Sequence, residues 1–211
     1  MYDFVIQVAN AMHLSYAEEI CEEIADSAQK RGTGIARRSP AYIEKKILEN
    51  KAIIATTKQG GFAGFCYIET WSNGEYLANS GLIVNPKFRE HGLAKKIKER
   101  AFKHSRKMYP NAKLFGLTTS LAVMKINSEL GYHPTTFQKL TDDEKFWQGC
   151  SSCVNYHILT SKNQSNCLCT GMIYDPQEKQ RKKWNFITKS RLWERFVRVK
   201  KSSLLTKIKV L

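Results

Sequence analysis

No apolar run in this 211-residue chain approaches the roughly 18 residues that a helix needs to cross a bilayer. The first residues, MYDFVIQVAN, carry no basic stretch ahead of a long apolar one, so no secretory leader is expected and a cytoplasmic protein is. Acidic residues are scarce: 19 Asp and Glu stand against 34 Lys and Arg, a net charge of +15. Internal repeats and long low-complexity runs are absent too. What remains is ordinary for a globular protein, with 42% hydrophobic and 25% charged residues and enough length for one sizeable domain.

The basic excess is uneven. Residues 178–211 hold 12 Lys and Arg against 2 acidic residues, which accounts for +10 of the total. The remaining chain is mildly basic, which suits a protein that handles anionic ligands and does not require nucleic acid. Within the basic tail Leu192, Phe196 and Val199, with Trp193 and Val197, form an apolar stripe at helical spacing. The tail reads as a partly disordered extension with one docking helix. A partner, an anionic membrane surface, or RNA held through Trp184 and Phe186 are its alternatives.

Apolar spacing predicts a strand over 3–9, a helix from Ser15 to Gln29, and a second helix opened by Ser39-Pro40 and ending near Glu49. Strands follow at Ala52–Thr57 and Phe62–Trp71, and Asn73-Gly74 signals a hairpin into Tyr76–Val84. A basic helix ending near Tyr109, a strand at Lys113–Thr118, and a helix over Ser120–Leu130 stopped by Gly131 complete the pattern. The order is α/β, with a mixed, twisted sheet flanked by helices.

The stretch GLIVNPKFREHGLAKKIK, residues 81–98, carries the most chemistry. A strand there ends in a loop that opens directly onto a helix. The orphan amides of that helix and its dipole make a ready anion site. Gly92 lets the backbone come close, Ala94 keeps the helix start small, and Lys95 and Lys96 add charge. The loop is neither GxxxxGK[ST] nor GxGxxG.

It resembles the acyl-coenzyme A signature R/Q-x-x-G-x-G/A of the GNAT N-acyltransferase superfamily, here Arg89-x-x-Gly92-x-Ala94. Val84-Asn85-Pro86 before it and Leu130-Gly131-Tyr132 after it match further family elements. The resemblance implies a GNAT fold over residues 1–140. It also implies that Leu82, Ile83 and Val84 meet the pantetheine arm. The backbone of Glu90, His91, Gly92, Leu93, Ala94 and Lys95 would hold the pyrophosphate, and Arg89 would brace the loop. Two departures stand out: Glu90 follows the Arg where the family often has Gly, and Asn127 stands where many members carry a Tyr that protonates the departing thiolate. Ser120 falls where the family often has Asn and reads equally as an N-cap or a cofactor contact.

Acyl transfer needs an amine held near a thioester carbonyl and a base for its proton. Glu69 is the best-placed carboxylate, with Asn79, Ser80, Thr118 and Thr119 near the strand ends as groups that orient the acceptor. Between the first two helices, Arg31-Gly32-Thr33-Gly34-Ile35-Ala36-Arg37-Arg38 brings guanidinium groups suited to carboxylates, so Arg31, Thr33 and Arg37 are expected at the acceptor. A solvated basic turn is the plainer alternative.

RGTGIARR, AGFCYIET, ANSGLIV, NAKLFGLTTSLAVMKINSELGY and FWQGCSSCVNYHIL are similar to a bacterial, Bacteroidetes-type GNAT subgroup linked to arginine biosynthesis. That resemblance implies an N-acylglutamate synthase moving an acetyl or succinyl group from acetyl-CoA or succinyl-CoA to the α-amine of glutamate, and it leaves a homodimer open. Another amine acceptor (a protein N-terminus or a small molecule) is the alternative, and a basic nucleic-acid-binding module is a weaker one.

Six cysteines occur, and four of them cluster as Cys150-x-x-Cys153 and Cys167-x-Cys169. In a reducing compartment this spacing suggests one structural zinc, clipping a Cys-rich segment at 141–177 onto the core, with buried thiols or redox pairing as alternatives. The chain thus divides into a core at 1–140, that segment, and a tail at 178–211.

Overall fold

The computed structural model describes residues 3–31 and 38–178. Thr33, Arg37, the Arg31 side chain and the apolar stripe of the tail lie outside the described residues. The chain to Tyr174 is one compact unit, and Asp175 begins a second.

Strand β1 (Phe4–Val8) leads through a 3₁₀ turn (Ala11–Tyr16) into helix α1 (Ala17–Arg31). Helix α2 (Pro40–Leu48) starts as its sequence dictates: Ser39 accepts the Tyr42 amide and Pro40 takes the first helical position. Strands β2 (Ala52–Thr57), β3 (Phe62–Trp71) and β4 (Tyr76–Val84) then form an antiparallel meander after β1. Helix α3 (Leu93–Met108) crosses to β5 (Lys113–Thr118), which runs parallel to β4. Helix α4 (Leu121–Glu129), strand β6 (His133–Thr135), the short helices α5 (Glu144–Gln148) and α6 (Tyr156–Ser161), and β7 (Thr170–Tyr174) follow.

The seven strands form one mixed sheet in the order β1-β2-β3-β4-β5-β7-β6, with helices against it. One face meets α1 and α2 through Ile20, Ile24, Ile43 and Ile47 against Phe65, Tyr67 and Ile83. Helix α3 covers the other face, with Leu93, Ile97 and Ala101 against Ile53, Cys66 and Val84. Among the described residues no helix is long and apolar enough to cross a membrane.

The hairpin signalled by Asn73-Gly74 forms, its connection a 3₁₀ turn over Ser72–Gly74 with positive φ at Ser72, Asn73 and Gly74. The sheet also gains β7, which the sequence reading lacked, and this strand enters between β5 and β6.

Strand β4 carries a bulge. Phe65 faces Ile83 and Tyr67 faces Ser80, so Gly81 and Leu82 together oppose the single residue Cys66. Gly81 is required there, because its φ is +62° and a Cβ would stand 2.3 Å from the Tyr67 ring. Gly81→Ala is expected to destabilise the protein by about 2–4 kcal/mol, from left-handed strain and overpacking. A lowered urea midpoint with an unchanged slope checks this.

Candidate active site

Strands β4 and β5 pair over only three positions, Tyr76↔Lys113, Leu77↔Leu114 and Ala78↔Phe115. Beyond Ala78 they diverge, and the fork opens into a cleft of about 520 Å³. Ser80, Leu82, Ile83, Thr118, Thr119 and Ser120 line it. Val84 packs against α3 instead. Ser120 also caps α4, accepting the Val123 amide at 3.4 Å.

At the open end of β4 the loop turns sharply, with Glu90 at φ +67° and Gly92 at φ +71°. Gly92 caps α3 without any side-chain bond to the helix amides, and apart from its chain neighbours no protein atom lies within 4 Å of where a Cβ on Gly92 would stand. The first amides of α3 are thus left without a side-chain cap beside open space, an arrangement that suits an oligophosphate. Arg89 Nε donates to the Val84 carbonyl at 3.2 Å and ties the loop to the strand, while His91 Nδ1 sits 2.6 Å from the Arg89 carbonyl. Lys95 is paired with Glu129 of α4 at 2.8 Å, so its charge is shared with that carboxylate. The residues present fit a coenzyme A pyrophosphate held by backbone, with the pantetheine arm in the fork.

On the α1–α2 face of the sheet the cleft holds a compact polar cluster. Glu69 accepts from Tyr42 Oη on one carboxylate oxygen and from Lys46 Nζ at 2.7 Å on the other. Only 12% of the Glu69 side chain and 10% of the Lys46 side chain stay exposed. Burial pushes the Glu69 carboxyl up to about 7 against the pull of Arg38, and pushes the Lys46 ammonium down to about 8. Their direct ion pair opposes both shifts and favours the ionised carboxylate. Arg38 Nε donates to Tyr67 Oη at 2.7 Å, and its guanidinium stands 5.3 Å from the Tyr42 ring centre.

Asn79, expected at the acceptor, lines the cleft, and pairing with Ile68 places it on the face opposite Glu69. Its Nδ2 donates to Ser105 Oγ at 2.7 Å, and its carbonyl accepts from the buried Lys98 Nζ at 2.9 Å. Asn127, where the family Tyr is missing, is buried with its Nδ2 3.8 Å from Met172 Sδ and its Oδ1 unpaired.

The zinc expectation is corrected. Among the described residues no group of three or more His, Cys, Asp or Glu is arranged to hold a metal ion, and Cys150, Cys153, Cys167 and Cys169 are all free thiols. Burial, followed by the neighbouring sulfurs, pushes Cys150 up to about 11 and Cys169 up to about 12. Cys153 Sγ accepts the Asn155 amide at 3.4 Å, and Cys167 Sγ contacts the Asn155 carbonyl at 3.9 Å. Aromatic packing fastens this segment: Phe146 meets Phe115 edge-on at 4.8 Å, Trp71 stacks on Phe115 at 5.4 Å, and Trp147 Nε1 donates to Thr141 O. The segment thereby builds one wall of the cleft, with Phe146, Gly149, Cys150, Cys153 and Cys169 all lining it.

Sequence reasoning missed Tyr42, Lys46, Tyr67 and Lys98. A signal existed for two of them: Tyr42 and Lys46 are four apart on α2, beside the buried Ile43 and Ile47.

No protein-family model and no curated protein matches this chain. Solved structures do. An N-acetylglutamate synthase from Neisseria gonorrhoeae, complexed with coenzyme A and N-acetyl-glutamate, is 15% identical with TM-score 0.57; the match covers 83% of this chain but only 35% of that one. An acetyltransferase of the GNAT family from Staphylococcus aureus is 16% identical with TM-score 0.54, over 67% of this chain and 91% of that one. The ribosomal-protein-S18-alanine N-acetyltransferase of Escherichia coli is 13% identical with TM-score 0.51, over 82% and 94%. The fold is that of the GNAT acetyltransferases.

Gly92→Asp puts a side chain and a negative charge where backbone meets phosphate. Acyl-coenzyme A affinity is expected to fall at least tenfold, about 1.4 kcal/mol, read by calorimetry. Unchanged affinity in a folded variant would remove the anion site.

Proposed function

We propose that this chain is an acyl-coenzyme A-dependent N-acyltransferase, with the donor in the β4–β5 fork and the acceptor amine entering from the Glu69 face. One observation carries the reading: Glu69, held by Lys46 and Tyr42, lines the same cleft as the fork, and β4, which forms one side of that fork, leads into the uncapped start of α3. A thioester lying along β4 would present its carbonyl at the fork, within reach of an amine beside Glu69. The amine must be neutral to attack, and Glu69 as carboxylate takes its proton. Lys46 and Tyr42 keep that carboxylate ionised although it is buried, and the aromatic wall of Trp71, Phe115 and Phe146 excludes water.

The acceptor proposed is glutamate and the donor acetyl- or succinyl-coenzyme A, which would place the enzyme in arginine biosynthesis. Arg38 supports a carboxylate-bearing guest, because its guanidinium lines the cleft next to Glu69. The Neisseria neighbour solved with N-acetyl-glutamate agrees with this acceptor. Arg31 and Arg37 are proposed as further carboxylate partners. A thiol-release assay crossing acetyl-, succinyl- and longer acyl-coenzyme A with a panel of amino acids and peptide N-termini tests the whole proposal.

Two outcomes are expected. Arg38→Ala should raise the glutamate KM by roughly 10–100-fold, about 1.5–3 kcal/mol for a lost charge-assisted bond, with the coenzyme A KM nearly unchanged. Glutamine should be a much poorer acceptor than glutamate, and equal turnover of the two would exclude a pocket that reads both carboxylates.

The pH profile has a definite sign. Glu69 acts when deprotonated, so kcat/KM should rise with pH through about 7 and fall as acid protonates the carboxylate. Lys46→Met removes the cation that favours the carboxylate, so this acidic limb should move to higher pH by about 1–2 units. Glu69→Gln should abolish the limb together with most of the activity. A limb unmoved in Lys46→Met would show that Glu69 is not the titrating base.

A further inference from the structure

Helix α3 buries an ammonium group at the fork. Lys98 is 4% exposed and lines the cleft from the face opposite Glu69. Its Nζ donates to the carbonyl of Asn79, the first residue of β4 beyond the last pair with β5. The groups facing it are neutral: Asn79 from β4, the Cys66 thiol from β3 and the Tyr132 ring ahead of β6, whose centre is 6.0 Å from Nζ. Among the described residues no carboxylate stands within ion-pair distance of it.

Burying an ammonium without a counter-charge is costly, and a neutral donor would satisfy one carbonyl at less cost. The neighbourhood also holds polar atoms that no protein group satisfies, Asn79 Oδ1, Asn127 Oδ1 and the Tyr132 hydroxyl. Asn127 sits behind Gly116 of the cleft wall, where a Cβ would lie 4.0 Å from its Nδ2, and an amide has no proton acidic enough to give. An anion that forms only during the reaction, at the depth of the fork, would supply the missing counter-charge.

We infer that Lys98 stabilises the coenzyme A thiolate as it departs and supplies its proton; the inference rests on the acyl-transfer reading above. The acceptor nitrogen bonds to the thioester carbon and loses a proton to Glu69. Collapse of the tetrahedral adduct breaks the C–S bond and leaves the electron pair on sulfur, beside Lys98. The thiolate takes a proton from the ammonium and leaves as the thiol. Glu69 then releases its proton to solvent and Lys98 recovers one from solvent. Burial lowers the pKa of Lys98, making its ammonium a stronger acid, which eases that transfer.

The test reads the thiol itself and needs no acceptor. Coenzyme A bound to the full-length protein is titrated through the ultraviolet band of its thiolate, as a difference against bound desulfo-coenzyme A. Free thiols ionise near about 8.5. In the wild-type protein the bound thiol should ionise at least about one unit lower, a tenfold gain in acidity. Lys98→Met should lose that gain while binding desulfo-coenzyme A within about twofold of wild type, and Lys98→Arg should keep it. A bound thiol that titrates alike in wild type and Lys98→Met overturns the inference. Should Lys98→Met not fold, the wild-type titration decides alone: a bound thiol at or above the free value overturns it. A wild-type protein that binds neither coenzyme A nor desulfo-coenzyme A would overturn the cofactor reading and this inference with it, whereas binding with an unshifted thiol removes only the role of Lys98.

Discussion

Everything in this molecule is arranged around the place where β4 and β5 stop pairing. An interior strand that leaves its neighbour exposes buried backbone groups, and each one left unsatisfied costs about 1–3 kcal/mol. The chain meets part of that demand from α3: Lys98 takes the Asn79 carbonyl and Ser105 takes the Asn79 side-chain amide. The bulge at Gly81 and Leu82 adds local twist, which carries the strand away from its former partner. The result is a fork held open by side chains, with strand backbone exposed to a ligand along its length.

Charge in this protein is stratified by depth. The exposed pairs, such as Lys58–Asp3 and Lys95–Glu129, are screened by water and count for little in stability. The buried cations work differently. Lys46 lies under one face of the sheet with Glu69 and Tyr42, and Lys98 lies under the other with only neutral neighbours. A buried ion pair is weak evidence for stability. A proton taken on one face and a negative charge formed on the other are what this arrangement fits.

The sequence made the order of elements legible because apolar periodicity and punctuation agree. Ser39-Pro40 and Ser120 announce two helix starts, and Gly92 marks the third. The loop into α3 was legible for the same reason, since its shape depends on local conformation. Side-chain constellations were less so. Glu69 could be seen on a strand, but its partners depend on how α2 packs across the sheet. Lys98 was hidden in a helix rich in Lys and Arg, where its position on the buried side, with Ala101 and Ser105, distinguishes it from its solvated neighbours. The cysteine spacing suggested mutual ligation, and spacing alone carries no information about how four sulfurs are directed. The edge-on contact of Phe146 with Phe115 holds that segment instead.

Strand β7 has a consequence for how the chain reaches this state. Among the described residues it is the last strand to be synthesised, yet it sits between β5 and β6 and pairs with both. Until residue 174 has left the ribosome, β5 presents an unsatisfied edge and β6 has no strand to join. A nascent chain therefore carries an open, sticky sheet margin through the synthesis of the whole cysteine-bearing segment. Closure couples residues 113–118 to residues 170–174 across a long loop, a slow step by its sequence separation. The same closure packs Ile173 against Phe115 and Trp147, so the nascent chain gains a finished cleft wall only when its sheet is sealed.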